Sequence, residues 1–508
     1  MLLELLLGSA LAAALVTLAA VSVLPRLERT GGAVAVLLAA LGGALGAEVS
    51  GDLAGRPVAA ALTAAVPAMV LAAGRRRSEW RGWARVALAA LAQVSAVYLV
   101  YAALVTATTA RGPAGLVLGA VLWLVQLGSL LLTLSFALEL IDVLGRRRFP
   151  ARDAALAAPE PERWPGVCVQ IPAYNEPPEL LAETIRAVMR QDYPGRWMVQ
   201  VVDNNTRDEA VWRPIEALCA ELGSRVRFIH LADWPGYKSG ALNEATRRLP
   251  EWVEVIAVVD ADYVVEPGFL RATARHFADP DVAFVQTPQH YRDWSDDRYL
   301  AGLFYSYKYF FDVAMVSRAE HNAIIFGGTM GLVRRDALER IGGWDEWCIT
   351  EDAEASLRLL GLGYRGVYDP RSYGAGLMPL SFEGLKKQRF RWAFGGVQIL
   401  RKHAGSLLGV GRGARLALSP RQRLAYLTGA LQWFNEVLGG LFTGLLLTAS
   451  ITSALGGHIG LPALSGAALV VPPLLILTGM VRSQWGLRRT AGCSRRCGAT
   501  PTASAPTR

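Results

Sequence analysis

Val167-Cys168-Val169-Gln170-Ile171-Pro172-Ala173-Tyr174-Asn175-Glu176 is the stretch that decides the fold. A near-continuous apolar run followed by Pro and Asn reads as a buried strand that ends in a polar turn. The same grammar repeats outward from it. Helical patterning over 178–190 leads to a strand at 198–202, a helix at 209–222, a strand at 226–231, a helix at 239–248 and a strand at 253–259. Strands without polar alternation, separated by helices, predict a parallel sheet covered on both faces. The stretch 166–403 is long enough to bury its own core.

On both sides of this stretch the composition changes. Residues 1–148 hold five apolar segments, at roughly 2–24, 31–49, 57–73, 86–108 and 113–144. A helix needs about 20 apolar residues to cross a bilayer, so these read as transmembrane helices. The first segment lacks a basic stretch before its apolar core, which favours a retained helix over a cleaved signal peptide. Residues 149–165 are rich in Ala and Pro and read as a linker, and 404–423 as a basic amphipathic interfacial segment. Two more apolar segments, 424–452 and 459–481, precede a Ser/Thr/Ala/Pro/Arg-rich tail over 482–508 that is expected to be disordered. The 508 residues are 52% hydrophobic and 19% charged, which excludes a disordered chain and argues against a purely soluble one.

The net charge of +9 raises nucleic acid as a partner, but the basic residues sit at the ends of apolar segments, as in Arg75-Arg76-Arg77 and Arg146-Arg147-Arg148. They read as membrane-flanking anchors, and no nucleic-acid partner is expected. Arg26 and Arg29, then Arg75, Arg76, Arg77, Arg81 and Arg85, then Arg146–Arg148 follow alternate segments, whereas the opposite loops hold only Arg56 and Arg111. The positive-inside rule places the N-terminus outside a plasma membrane and residues 149–423 in the cytoplasm. Five scattered cysteines make no disulfide framework, and Cys493 and Cys497 lack a nearby His for zinc.

The chemistry lies at the strand ends, where open α/β sheets bind ligands. The first strand runs into Tyr174-Asn175-Glu176, the second into Asp203 and the fourth into Asp260-Ala261-Asp262. Paired Asp residues past a buried strand suit Mg2+ or Mn2+ beside a diphosphate, although a strand-end Asp also caps turns. Gly236-Tyr237-Lys238-Ser239 lacks P-loop spacing, which excludes a P-loop NTPase, and no G-x-G-x-x-G follows the first strand, which disfavours a dinucleotide enzyme. Lys238 nevertheless sits at a strand-to-helix turn suited to phosphate. Thr350-Glu351-Asp352 opens a helix; its carboxylates either complement the helix dipole or supply a general base. Gln388, Arg391 and Trp392 share one helix face, fit either to grip a phosphate and stack on a sugar or to lie at a membrane interface.

Taken together, these motifs, with Val285-Gln286-Thr287-Pro288 and Phe326-Gly327-Gly328-Thr329, resemble family 2 glycosyltransferases, most of all the cellulose synthase-like branch. The resemblance covers about 165–403. It implies a GT-A fold, a Rossmann-like α/β domain with a mixed, mostly parallel sheet, here inserted between transmembrane helices. It also implies a nucleotide-sugar donor, a divalent metal and inversion at the anomeric carbon. Carried over by position, Tyr174, Glu176, Asp203 and Lys238 hold the nucleotide, Asp260 and Asp262 the diphosphate and metal. Asp352 is the base; Gln388, Arg389 and Arg391 bind pyrophosphate. Trp392 stacks on the acceptor, and Phe326, Gly327, Gly328, Thr329 and Glu351 join it in acceptor binding. The acceptor is a growing polysaccharide or a membrane lipid. A transporter or inactive scaffold is disfavoured, because charges within the apolar segments are few and the carboxylates are intact.

Overall fold

A computed structural model describes residues 2–23, 32–49, 56–73, 79–109, 112–410 and 416–455. The described residues form two compact units, one of those up to 148 and from 431 to 455, the other of those from 149 to 430.

The second unit is built on a seven-stranded sheet: β1 (Val167–Ala173), β2 (Trp197–Asn204), β3 (Val226–Leu231), β4 (Val255–Val258), β6 (Val282–Gln286), β8 (Gly331–Arg334) and β9 (Arg365–Tyr368). A small second sheet joins β5 (Val264–Val265), β10 (Gly374–Gly376) and β7 (His290–Tyr291). Across the main sheet the order is β3-β2-β1-β4-β8-β6-β9. Every neighbour pair is parallel except those of β8, which runs antiparallel to β4 and β6. This is the mixed, mostly parallel sheet that the resemblance implies.

Alternate residues of the central strands fill the core. Val167, Val169 and Ile171 of β1, Val199 and Val201 of β2, and Val255 and Ala257 of β4 are all fully buried in one cluster. Each such Val or Ile contributes about 1.5–3 kcal/mol of burial free energy. Two features of the order place the site. The chain steps from β1 out to β2 and β3, then returns to lay β4 on the other side of β1, so a switch point opens at the carboxyl ends of β1 and β4. Because β8 is antiparallel, Gly331 at its start pairs with Val258 at the end of β4. The Phe326–Thr329 loop before β8 is therefore delivered to that same rim.

Three segments differ from the sequence reading. Within the expected linker, Pro150–Ala157 is a helix. An Ala-rich run behind a Pro at the first turn is a good helix former, and the backbone N–H groups of Ala151 and Arg152 dock on Glu320 at 3.3 and 3.2 Å. The expected interfacial segment is split. The helix Phe382–Leu408 ends at Gly409 (φ +71°), and Leu416–Leu418 packs beside Gly361, where the Ala417 N–H donates to the Gly361 carbonyl at 3.0 Å. The apolar segment expected to begin at 424 is also broken, into Pro420–Leu431 and Phe434–Ala454. Polar side chains explain the break: Gln422 Nε2 donates to Asn322 O at 2.7 Å, and the Tyr426 hydroxyl lies 2.9 Å from Ser356 Oγ, tying this helix to the α/β unit.

The first unit consists of helices Leu2–Val23, Gly32–Val49, Arg56–Ala73, Gly82–Thr109 and Gly112–Gly145, joined by Phe434–Ala454. The five apolar stretches before residue 148 are thus helical. Among the described residues, Gly82–Thr108, Gly112–Gly145 and Phe434–Thr452 are long and apolar enough to cross a membrane. Gly42 and Gly46 let the second helix approach the first, since a Cβ at either would lie 2.6–2.7 Å from Ala12 O or Gly8 O. Arg146, at the end of the fifth helix, is buried and paired with Asp142 at 2.9 Å. Residues 459–508, which hold the expected last segment and tail, lie outside the described residues.

Candidate active site

Parallel register sets the first part of the rim. Ala173, Asp203 and His230 are partners across β1, β2 and β3. Asp203 is buried, with Oδ2 2.7 Å from His230 Nδ1 and Oδ1 accepting the Thr206 hydroxyl at 2.6 Å. Thr206 Oγ1 in turn accepts the Asn175 N–H at 2.9 Å, which fastens the turn after β1. Trp212 stacks on the His230 ring at 4.3 Å. Tyr174 projects from the turn and is 60% exposed, free to meet a ligand.

Beyond β4, the Asp260 N–H donates to Thr329 Oγ1 at 2.9 Å. Asp260 Oδ1 lies 2.7 Å from Lys238 Nζ, which also donates to the Gly328 carbonyl at 3.2 Å. Asp262 Oδ2 accepts the Leu377 N–H at 3.0 Å. Burial and then the Asp260 charge push the Asp262 carboxyl above the ordinary carboxylate range. Glu176 is pushed up by burial, then by Asp262 and Asp260. The three carboxylates therefore share one electrostatic neighbourhood. Burial works to lower the Lys238 pKa, but Asp260, Glu351 and Asp352 outweigh it and hold the ammonium charged.

Lys238 enters at the start of the helix Tyr237–Arg247, behind Gly236 (φ +80°). The left-handed backbone at Gly236 is what this turn needs glycine for. Across the rim, the helix Glu351–Gly361 presents Glu351 and Asp352 from its first turn. Burial raises both carboxyls; Asp352 adds to the rise at Glu351, and Lys238 offsets part of it at each. Gly328 (φ +74°) lies against Asp352, and a Cβ there would come within 2.5 Å of Asp352 Oδ2. Glu176, Lys238, Asp260, Asp262, Gly328, Glu351 and Asp352 are thus brought together.

Other residues of the sequence reading are placed differently. Phe326 is buried, its ring against Phe284 and Trp344, so it supports the loop from beneath. Thr329 is also buried and braces Asp260. Gly327 is held through its N–H to Gln286 Oε1 and through its carbonyl to Gln289 Nε2, both at 2.7 Å. Gln388 accepts from the Tyr307 hydroxyl. The Arg389 guanidinium lies 5.2 Å over Tyr307 and 5.0 Å over Trp392. Arg391 is exposed and Trp392 half-buried. Thr206, Trp212 and His230 escaped the sequence reading. His230 becomes visible only through the β2–β3 register that sets it beside Asp203.

A mostly parallel sheet with β8 antiparallel beside β4, and a carboxylate-rich rim facing Lys238, make up the candidate site. Residues 165–395 match the family described as glycosyltransferase like family 2, and the same stretch is similar to cellulose synthase catalytic subunits and glucomannan mannosyltransferases. The chain is 32% identical to the cellulose synthase catalytic subunit [UDP-forming] of Xanthomonas axonopodis over 54% of its length and 36% of the relative's. It is 33% identical to that of Pseudomonas fluorescens, over 59% and 38%. It is 32% identical to the probable glucomannan 4-beta-mannosyltransferase 1 of Arabidopsis thaliana, over 48% and 45%. The chain thus spans less than half the length of these curated relatives. A mannosyltransferase from Pyrobaculum calidifontis, solved with GDP-Man and Mn2+, superposes with a TM-score of 0.49 at 21% identity, covering 73% of this chain and 98% of that one.

Proposed function

We propose that this protein is a membrane-embedded inverting glycosyltransferase that moves a hexose from a nucleotide sugar, a UDP-sugar first, onto a growing polysaccharide. The observation that carries the reading is the convergence of Lys238, Asp260, Asp262 and Asp352 at one switch point. The cellulose synthase and glucomannan mannosyltransferase relatives support a glycan acceptor.

Asp203, with Tyr174 and Glu176, receives the nucleotide. Lys238 meets the diphosphate, and Arg391, exposed on its helix, supplies a second cation. Asp352 takes the proton of the acceptor hydroxyl as that oxygen bonds to the anomeric carbon and the diphosphate leaves with the bonding electrons. One base and cationic leaving-group stabilisation suffice for such a displacement. Burial brings the Asp352 carboxyl up toward the operating pH, where a base works best.

No three His, Cys, Asp or Glu side chains among the described residues form a complete metal site. Asp260 and Asp262 still fit a divalent ion that takes its other ligands from the diphosphate, because the repulsion of Asp260 that raises the Asp262 carboxyl is what such an ion relieves. Mg2+ or Mn2+ held there would neutralise charge on the departing diphosphate. The apolar helices of the first unit would cross the bilayer, with residues 149–423 on the cytoplasmic side.

The test incubates the full chain in lipid with several UDP- and GDP-sugars, then separates polymer from lipid-soluble product. Labelled polymer is expected. Label confined to the lipid fraction would make the acceptor a membrane lipid, and no transfer from any donor would refute the reading.

A further inference from the structure

Glu354 lies two residues beyond Asp352, and its side chain is fully buried. A buried carboxylate is costly unless it is paired, and this one is paired three ways. Arg358 Nε donates to Oε2 at 2.6 Å from the same helix. From the helix Phe382–Leu408, His403 Nε2 lies 2.8 Å and Lys402 Nζ 3.3 Å from Oε1. Arg358 also donates to the Ile341 carbonyl and, at 2.9 Å, to the Gly343 carbonyl, while Lys402 also pairs with Asp345.

Other contacts continue the same seam. Gln398 accepts the Ile349 N–H at 2.9 Å and donates to the Trp347 carbonyl at 2.6 Å. Gly395 lies so close to Thr350 that a Cβ would fall 2.2 Å from Thr350 Oγ1. On the long helix, Gly395, Gln398, Lys402 and His403 form one stripe at helical spacing, and Gln388, Arg391 and Trp392 extend it toward the N-terminus. The rotation fixed at the C-terminal half of the helix therefore sets where the N-terminal half faces. An apolar seam tolerates sliding; ion pairs and hydrogen bonds with fixed directions do not.

We propose that Glu354, gripped by His403 and Lys402, is a positioning residue that locks the helix of Gln388, Arg391 and Trp392 in register with the helix that carries Asp352. The proposal rests on the reading above, in which Asp352 is the base and that face grips the donor and acceptor. Glu354 itself touches neither substrate. Its effect is on turnover through geometry, where a displacement of about 1 Å far from the chemistry costs on the order of 100-fold.

The test uses the full chain in lipid, with Cys493 and Cys497 replaced by Ser and spin labels at Lys387→Cys and Leu362→Cys, one on the long helix and one beyond the end of the Asp352 helix. The unlabelled variants are His403→Ala, His403→Gln, which keeps an N–H to offer Glu354, and Glu354→Gln. The inter-label distance distribution should broaden or shift in His403→Ala and Glu354→Gln and recover in His403→Gln. Turnover should fall by roughly 10–100-fold in the first two and recover in the third. If Glu354→Gln fails to fold, the His403 pair decides alone. An unchanged distance distribution in His403→Ala overturns the clamp, whatever the activity. A lowered melting temperature with unchanged turnover per folded molecule overturns its link to catalysis. If the wild type transfers no sugar while the distances still shift, the reading of function fails and the clamp stands.

Discussion

Lys238 Nζ lies 2.7 Å from Asp260 Oδ1, and the same ammonium donates to the carbonyl of Gly328, the residue that abuts Asp352. One cation thus ties Asp260 to the loop that abuts Asp352. Lys238→Met removes this charge from among Asp260, Glu351 and Asp352. Hydrogen bonds to charged groups are worth about 1.5–3 kcal/mol, so nucleoside diphosphate affinity should drop by roughly 10–150-fold. Calorimetry reads it, and unchanged affinity would remove Lys238 from the donor site.

Metal dependence follows from the pairing of Asp260 and Asp262 at one strand end. EDTA should abolish transfer and Mg2+ or Mn2+ restore it. Asp262→Asn should raise the metal concentration needed for half-maximal rate. Full activity in chelator would rule the ion out.

Gly328 combines a left-handed backbone with a 2.5 Å approach to Asp352. Gly328→Ala both strains the loop and pushes on the base, and φ > 0 alone costs a non-glycine residue on the order of 1 kcal/mol. Transfer should fall at least tenfold, beyond what that cost alone would give, with the protein still folded by circular dichroism. Wild-type rates would show that the loop yields without consequence.

Acid should weaken the Glu354 cluster. Burial alone would raise this carboxyl, but His403, Arg358 and Lys402 outweigh it and hold it below its ordinary value of 4.5. A group with a depressed folded pKa stabilises the fold above its unfolded value and loses that contribution as pH falls through the folded one. The melting-temperature gap between wild type and Glu354→Gln should therefore be full near pH 6 and shrink progressively below about 4.5. A constant gap from pH 6 to 3 would show that the charge contributes nothing.

Topology is open to labelling. Asp293 is exposed on the α/β unit, and Cys168, Cys219 and Cys348 are buried. With Cys493 and Cys497 changed to Ser, Asp293→Cys should resist membrane-impermeant thiol reagents in intact cells and react after lysis. Labelling of intact cells would reverse the proposed orientation.

Much of the α/β unit was legible because buried parallel strands are written locally. The near-continuous apolar run at Val167–Ile171 and the polar turn after it announce both a central strand and a rim. What was not legible depends on partners distant in sequence. The antiparallel run of β8 cannot be read from Gly331–Arg334, yet it carries Thr329 to Asp260. Phe326 reads as a site residue until Phe284 and Trp344 are seen around it. His230 gains meaning only beside Asp203, and Glu354 only beside His403, 49 residues away. The pairing of Arg146 with Asp142 is likewise invisible in the pattern of basic residues.

Asp352→Asn tests the central claim most directly, because it keeps shape and hydrogen bonding while removing the base. Donor affinity, measured by calorimetry, should stay near wild type, since Asp203, Lys238, Asp260 and Asp262 are untouched. The initial rate of sugar transfer should fall by about 10²–10⁴-fold, the usual range for loss of a general base. Near-normal transfer by a folded Asp352→Asn protein would contradict the account.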